Sequence, residues 1–328
     1  LESWAATALA AWAFAWLFGA GLFDSSVRAD DDYRFGVWLI YFCASVFVLH
    51  WLADRFDFEA LRTPAYALVP VLFLTSMAMA VELDHPFASL GWLGWFVAIV
   101  VHIATLRRFE ERSGRWLELI HGAPIVLVSA LGAWTFAHFV GDAFTGGELW
   151  TKVGTGLIPA AVILSVIGGA RKFVWPFDQW RAAYLLYGAG PVVAWLWVWL
   201  ALVNTQPPGA DWPIGYLPFI NPIDIACGFA MIAGVVWWRA GDQELGDRWP
   251  ISDRSILGLM LGVAIIGATV FVQANAIILR TIHFFADVPY TFSALFASDL
   301  VQSAFAVFWG ATGLVGMALA ARGGQRGV

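Results

Sequence analysis

Apolar residues in this chain gather in ten long blocks separated by short polar stretches, and no block alternates polar with apolar residues as a membrane barrel strand would. The blocks cover roughly 4–23, 34–53, 64–82, 88–106, 119–140, 152–170, 182–203, 222–239, 255–280 and 299–321. Each approaches the roughly twenty residues that an α-helix needs to cross the hydrocarbon core of a bilayer. The pattern predicts an all-α, polytopic transmembrane helix bundle of about ten spans. It reads as one bundle over 1–328, with an N-terminal half at 1–203 and a C-terminal part at 204–328 that holds the polar motifs. The sixth block is interrupted by Pro159 and by Gly154, Gly156, Gly168 and Gly169. It still counts as a span, because neighbouring helices can satisfy the backbone groups that a proline frees. The first block has no basic flank and no small-residue cleavage site before Asp24, so it is expected to stay as a helix.

Composition settles what surrounds the blocks. Of 328 residues, 60% are hydrophobic and 13% charged, with a net charge of −6. A water-soluble domain of this size cannot bury so much apolar surface, so the surplus faces a lipid bilayer. The same figures exclude a disordered chain, a coiled coil and a nucleic-acid binder. Alternate connections differ sharply in positive charge. One set, with both termini, holds Arg55, Arg62, Arg107, Arg108, Arg112, Arg115, Arg171, Lys172, Arg181, Arg239, Arg248, Arg254, Arg322 and Arg326, which is 14 of the 18. The other set holds only Arg28, Arg34, Lys152 and Arg280, while the acids divide twelve to each side. The positive-inside rule then predicts that both termini are cytoplasmic. Several tryptophans, among them Trp51, Trp92, Trp150, Trp175, Trp180 and Trp249, fall at span ends, where indoles favour the interface. The segments 54–62 and 171–181 mix aromatics with charges and are expected along the inner surface.

Polar residues at membrane depth are costly and therefore informative. In the eighth span, Asn221-Pro222-Ile223-Asp224 combines an N-cap, a first-turn proline and an early acid. In the ninth, Gln273, Arg280 and His283 share one helical face, with Asn275 flanking it. The next connection carries Asp287, Pro289, Tyr290 and a short apolar piece, TFSALFA, which is too short to span and is expected to fold back. Asp299 and Gln302 then open the tenth span. Capping and interhelical hydrogen bonding account for many of these residues one at a time. Together they predict an outward-facing polar site. Asp224, His283 and Asp287 are the candidate acid–base groups, with Arg280, Gln273, Asn275, Asn221, Asp299 and Gln302 as candidate substrate-binding groups. The acids Asp30, Asp31 and Asp32 read as a solvated turn. His50, His85, His102, His121 and His138 show no ligand spacing, so no metal site is expected. No P-loop, dinucleotide fingerprint, G-x-S-x-G or HExxH is present, and no cofactor is predicted. Cys43 and Cys227 read as buried free thiols. Glycines 258, 262, 310, 313 and 316 suggest close helix packing.

The segments GYLPFINPIDIACGF (215–229), NAIILRTIHFFADVP (275–289) and SDLVQSAFAVFWG (298–310) resemble the bacterial membrane proteins grouped as DUF2339. Asn221, Pro222, Asp224, Asn275, Arg280, Thr281, His283, Ser298 and Gln302 carry the likeness, over about a third of the chain. The resemblance implies a bacterial inner-membrane location and brings no activity. Family members are commonly longer, with more spans and often an N-terminal coiled-coil region. A chain that starts at Leu1 is therefore expected to be a C-terminal fragment or a minimal relative. Three functions fit the residues. The first is an envelope enzyme acting on a lipid-linked or glycan substrate, with Arg280 as a phosphate clamp. The second is a transporter or flippase whose path passes Gln273 and Asn275, although no inverted repeat accompanies it. The third is a non-catalytic subunit or scaffold bound to membrane-protein partners.

Overall fold

A computed structural model describes residues 2–109, 114–143, 147–170, 175–206, 215–246, 249 and 256–322. Arg112, Arg171, Lys172, Arg248, Arg254, Arg326 and residues 207–214 of the Pro-rich connection between the seventh and eighth blocks lie outside them. Among the described residues there is no strand. The helices are α1 (Glu2–Arg28), α2 (Arg34–Phe56), α3 (Thr63–Glu82), α4 (Gly91–Arg108), α5 (Arg115–Ala143) and α6 (Gly147–Ala170). They continue with α7 (Phe177–Ala182), α8 (Gly190–Thr205), α9 (Pro222–Leu245), α10 (Ile256–Ala286), α11 (Phe292–Ala297) and α12 (Asp299–Arg322). A π-helical stretch, Ala183–Ala189, joins α7 and α8 into one run, Phe177–Thr205.

Each apolar block of the sequence has its helix. Nine are long and apolar enough to cross a membrane among the described residues. The tenth block is α4, whose 18 residues reach about 27 Å, near the ~30 Å hydrocarbon thickness. Its last turn holds Arg107 and Arg108, which lower its hydropathy. The short TFSALFA piece becomes α11, capped by the Thr291 hydroxyl, which accepts from the Ala294 amide. At the start of the chain, α1 extends past the predicted block to Arg28 and takes in Asp24, with which Arg28 pairs at 2.6 Å. Asp30, Asp31 and Asp32 are exposed on the turn that follows.

Pro159 sits inside an unbroken α6. A proline there leaves the carbonyl four residues back without its helical donor. The Trp195 indole supplies one, donating to the Thr155 carbonyl at 3.0 Å. Two buried cores form around this region. One is built on α2 to α5, the other on α6, α8 and α9, and α5 packs along α6 between them. Cys43 and Cys227 are buried free thiols, one in each core. Trp249 departs from its expected interfacial place. It is 3% exposed and lies over Gly241.

Ion pairs sort the helix ends as an up-and-down bundle requires. Arg34 at the start of α2 pairs with Glu82 at the end of α3. At the opposite end Asp54 receives Arg62 at 3.0 Å and faces Arg108 at 3.8 Å. The α3–α4 connection is stitched to α5 through Trp134, which donates to the Asp84 carbonyl at 2.8 Å. Beside it the His85 and His138 rings stack at 4.5 Å, and Asp142 lies 3.7 Å from His138. Burial, then the neighbouring His138, hold the His85 imidazole below its ordinary 6.5, and Asp84 only partly offsets them. Folded His85 thus binds fewer protons than unfolded His85. Its contribution to stability is present above the unfolded value and is lost as pH falls below it. The melting temperature in detergent should therefore drop between about pH 7 and pH 5, and His85→Phe should flatten that drop. An unchanged slope in the variant would contradict this assignment.

Three spans bury little within the chain: α12 0%, α1 6% and α10 17% of their most apolar stretch. A Cβ at Gly310, Gly313 or Gly316 would meet nothing within 4 Å, so these glycines do not serve close packing among the described residues. Gly262 does, since a Cβ there would lie 2.4 Å from the Trp238 ring.

Candidate functional site

The candidate site lies where α8 ends, α9 begins and α10 ends. Asn221 caps α9, and its Oδ1 accepts from the Ile223 and Asp224 amides at 3.0 Å each. The cap also fixes Asp224. Asn221 Nδ2 donates to Asp224 Oδ2, and so does the Phe219 amide at 3.2 Å. Asp224 Oδ1 accepts from Gln273 Nε2 at 3.2 Å and from Arg280 Nη1 at 2.5 Å.

Arg280 is 0% exposed, the largest fully buried side chain among the described residues. Its Nη2 donates to Asn204 Oδ1 at 2.8 Å and to the Val203 carbonyl at 3.1 Å. Asn204 Nδ2 closes the circuit by donating to Gln273 Oε1 at 3.0 Å. The Val203 bond uses a carbonyl in the last turn of α8, which has no helical donor of its own. A charge held this deep requires a partner and further hydrogen bonds, and both are present. Of the three Arg280 nitrogens, Nε alone finds no acceptor among the described residues.

The two flanking connections lock onto this circuit. Tyr290 donates to the Asn204 carbonyl at 3.1 Å. Tyr216 stacks on Phe284 at 4.6 Å and donates to the Ile277 carbonyl at 3.4 Å. Burial, and Asp224 after it, push the Tyr216 phenol up to about 12, so its hydroxyl remains a donor.

The helical face read from sequence therefore divides three ways. Gln273 and Arg280 join Asp224, Asn221 and Asn204 in one buried circuit. His283 turns aside, and its Nδ1 meets the Val288 carbonyl at 2.7 Å, which pins the loop. Asn275 faces α12, where its Oδ1 accepts from the Trp309 indole at 2.8 Å. Gln302 donates to the Phe296 carbonyl at 2.8 Å and holds α11. Asp287 and Asp299 are exposed and outside the circuit. Asp287 has a φ of 52°, a left-handed position that Asp tolerates.

Sequence reasoning missed Asn204 as a site residue. Its signal was present: a carboxamide at the end of a span, level with the polar residues of α9 and α10. The four basic residues of the positive-poor side are all ion-paired. Arg28 meets Asp24, Arg34 meets Asp31 and Glu82, Lys152 meets Glu148 and Arg280 meets Asp224.

Asn221 is the member whose loss is simplest to read. Asn221→Ala should destabilise the protein by about 1–2 kcal/mol through the cap. Asn221→Ser restores the capping oxygen without the donor to Asp224, so a melt of the three forms should place it in between. An alanine variant as stable as the parent would contradict the geometry.

No curated protein and no solved structure matches the chain. The family model described as "Predicted membrane protein (DUF2339)" matches residues 2–328, so the likeness extends from the polar motifs to the first two hundred residues as well. With its apolar spans and that match over essentially its whole length, the chain belongs to the DUF2339 family of predicted membrane proteins.

Proposed function

We propose that the protein is a non-catalytic subunit or scaffold of a bacterial cytoplasmic membrane, with both termini on the cytoplasmic side. The Asp224–Arg280 circuit is then interhelical glue that fixes the outer ends of α8, α9 and α10. The observation that carries this reading is the complete enclosure of Arg280, with both Nη donors spent inside the protein. A phosphate clamp needs donors that a substrate can reach. The bare faces of α10 and α12 leave surface for a membrane-protein partner.

A second reading is an enzyme acting on a lipid-linked or glycan substrate. Asp224 and Gln273 edge a cleft of about 450 Å³ between α9 and α10, and this supports it. That chemistry requires Asp224 to be released from Arg280. Alanine substitution of Arg280, Asp224 and His283, one at a time, separates the two readings. Glue predicts that Arg280→Ala and Asp224→Ala lose most of the folded protein from the membrane, measured by quantitative blot and size exclusion. Normal levels of monodisperse protein together with a lost cellular phenotype would overturn the scaffold in favour of the enzyme.

A further inference from the structure

A second cleft, of about 490 Å³, lies among the end of α8, α10, α11 and α12. That is within the range of roughly 300–1,000 Å³ typical of small-ligand sites. Its walls include Leu279, Tyr290, Phe296, Phe305 and Trp309, and α11 closes one side. Three polar residues on the walls, Asn204, Thr205 and Gln302, have already used donors within the protein. Asn204 and Gln302 bond as described, and Thr205 donates to the Leu202 carbonyl at 2.9 Å. The Tyr290 hydroxyl is likewise committed to Asn204. The walls thus offer mostly carbon to an occupant, and a polar molecule would lose more hydration than these few groups can replace.

The charge around the cleft selects the head of that occupant. Asp287 precedes the wall residue Tyr290, and Asp299 precedes the wall residue Gln302; both acids are exposed. The connection 281–298 contains no Lys or Arg, and the adjacent Arg280 is neutralised by Asp224. A head with net negative charge would find no basic side chain in that connection, whereas an ammonium group would find two carboxylates. We infer that this cleft binds one acyl chain of a zwitterionic phospholipid from the surrounding bilayer, with its ammonium toward Asp287 and Asp299.

The test uses the full-length protein in nanodiscs of mixed phosphatidylethanolamine and phosphatidylglycerol, each in turn carrying a diazirine in its acyl chain. Photolabelled peptides are then mapped by mass spectrometry. Labelling by the ethanolamine lipid should concentrate on residues 279–309 and exceed that by the glycerol lipid by about fivefold. Ala306→Phe fills the cleft from α12 and should remove most of this labelling. Leu314→Phe, on the bare face of the same helix, should leave it unchanged. Labelling spread evenly along α12, or insensitive to Ala306→Phe, would mean annular lipid only and would overturn the site. Stronger labelling by phosphatidylglycerol would overturn the head assignment. If the filled variant does not fold, the labelling map and lipid preference of the unsubstituted protein still decide both points.

Discussion

Arg280→Ala is expected to destabilise the protein by about 3–5 kcal/mol, because it leaves a buried carboxylate without its counter-charge. Asp224 has a side chain only 2% exposed, and its remaining donors, Gln273, Asn221 and the Phe219 amide, are all neutral. Removal of the guanidinium also strips Asn204 Oδ1 and the Val203 carbonyl of a donor. Asp224→Ala should cost about as much, for it strands a buried guanidinium. Arg280→Lys is no remedy. One ammonium cannot reproduce a fork that reaches the Asp224 carboxylate with one nitrogen and Asn204 with the other. Thermal unfolding in a fixed detergent reads these losses, and Leu314→Ala on the bare face of α12 serves as the reference for a mild change.

Gly122→Leu should be comparably damaging, at about 3 kcal/mol or more, since it overpacks a contact made with backbone and one Cβ, none of which can swing aside. A Cβ at Gly122 in α5 would lie 2.6 Å from the Ala183 carbonyl oxygen and 2.8 Å from the Gly188 amide nitrogen. Both partners belong to the π-helical stretch, so two backbones meet where only hydrogen fits between them. Even Gly122→Ala should be harmful. Gly228→Ala makes the contrast, because a Cβ there would meet nothing within 4 Å and alanine suits a helix interior better by up to about 1 kcal/mol. A Gly122→Ala protein that melts with the Gly228→Ala protein would contradict the packing of α5 on this stretch.

These two sites mark what periodicity could and could not convey. Span positions follow from runs of apolar residues about as long as the bilayer is thick, and every block became a helix, though α1, α6, α9 and α10 each run more than a turn past an expected end. Even the Pro159 interruption was legible, since the need for an outside donor follows from the missing N–H. The identity of that donor, Trp195, depends on helix packing that no local pattern carries. The same limit applies to the polar residues. A helical wheel put Gln273, Arg280 and His283 on one face, but a face spans some 100° and borders several neighbours. Whether Arg280 points to water, lipid or Asp224 depends on which helix lies alongside, and the approach of α9 to α10 answers that. For the glycines of α12 the pattern misled, because small residues spaced along a helix permit close packing without supplying the partner.

Asp224 and Arg280 act as one closed structural unit. A double-mutant cycle tests it most directly, with unfolding free energies of the parent, Asp224→Ala, Arg280→Ala and the double variant measured in the same detergent. Strong coupling is expected, about 2 kcal/mol or more, with the double variant no less stable than the worse single one. Losses that add to within about 0.5 kcal/mol, or single variants as stable as the parent, would contradict it.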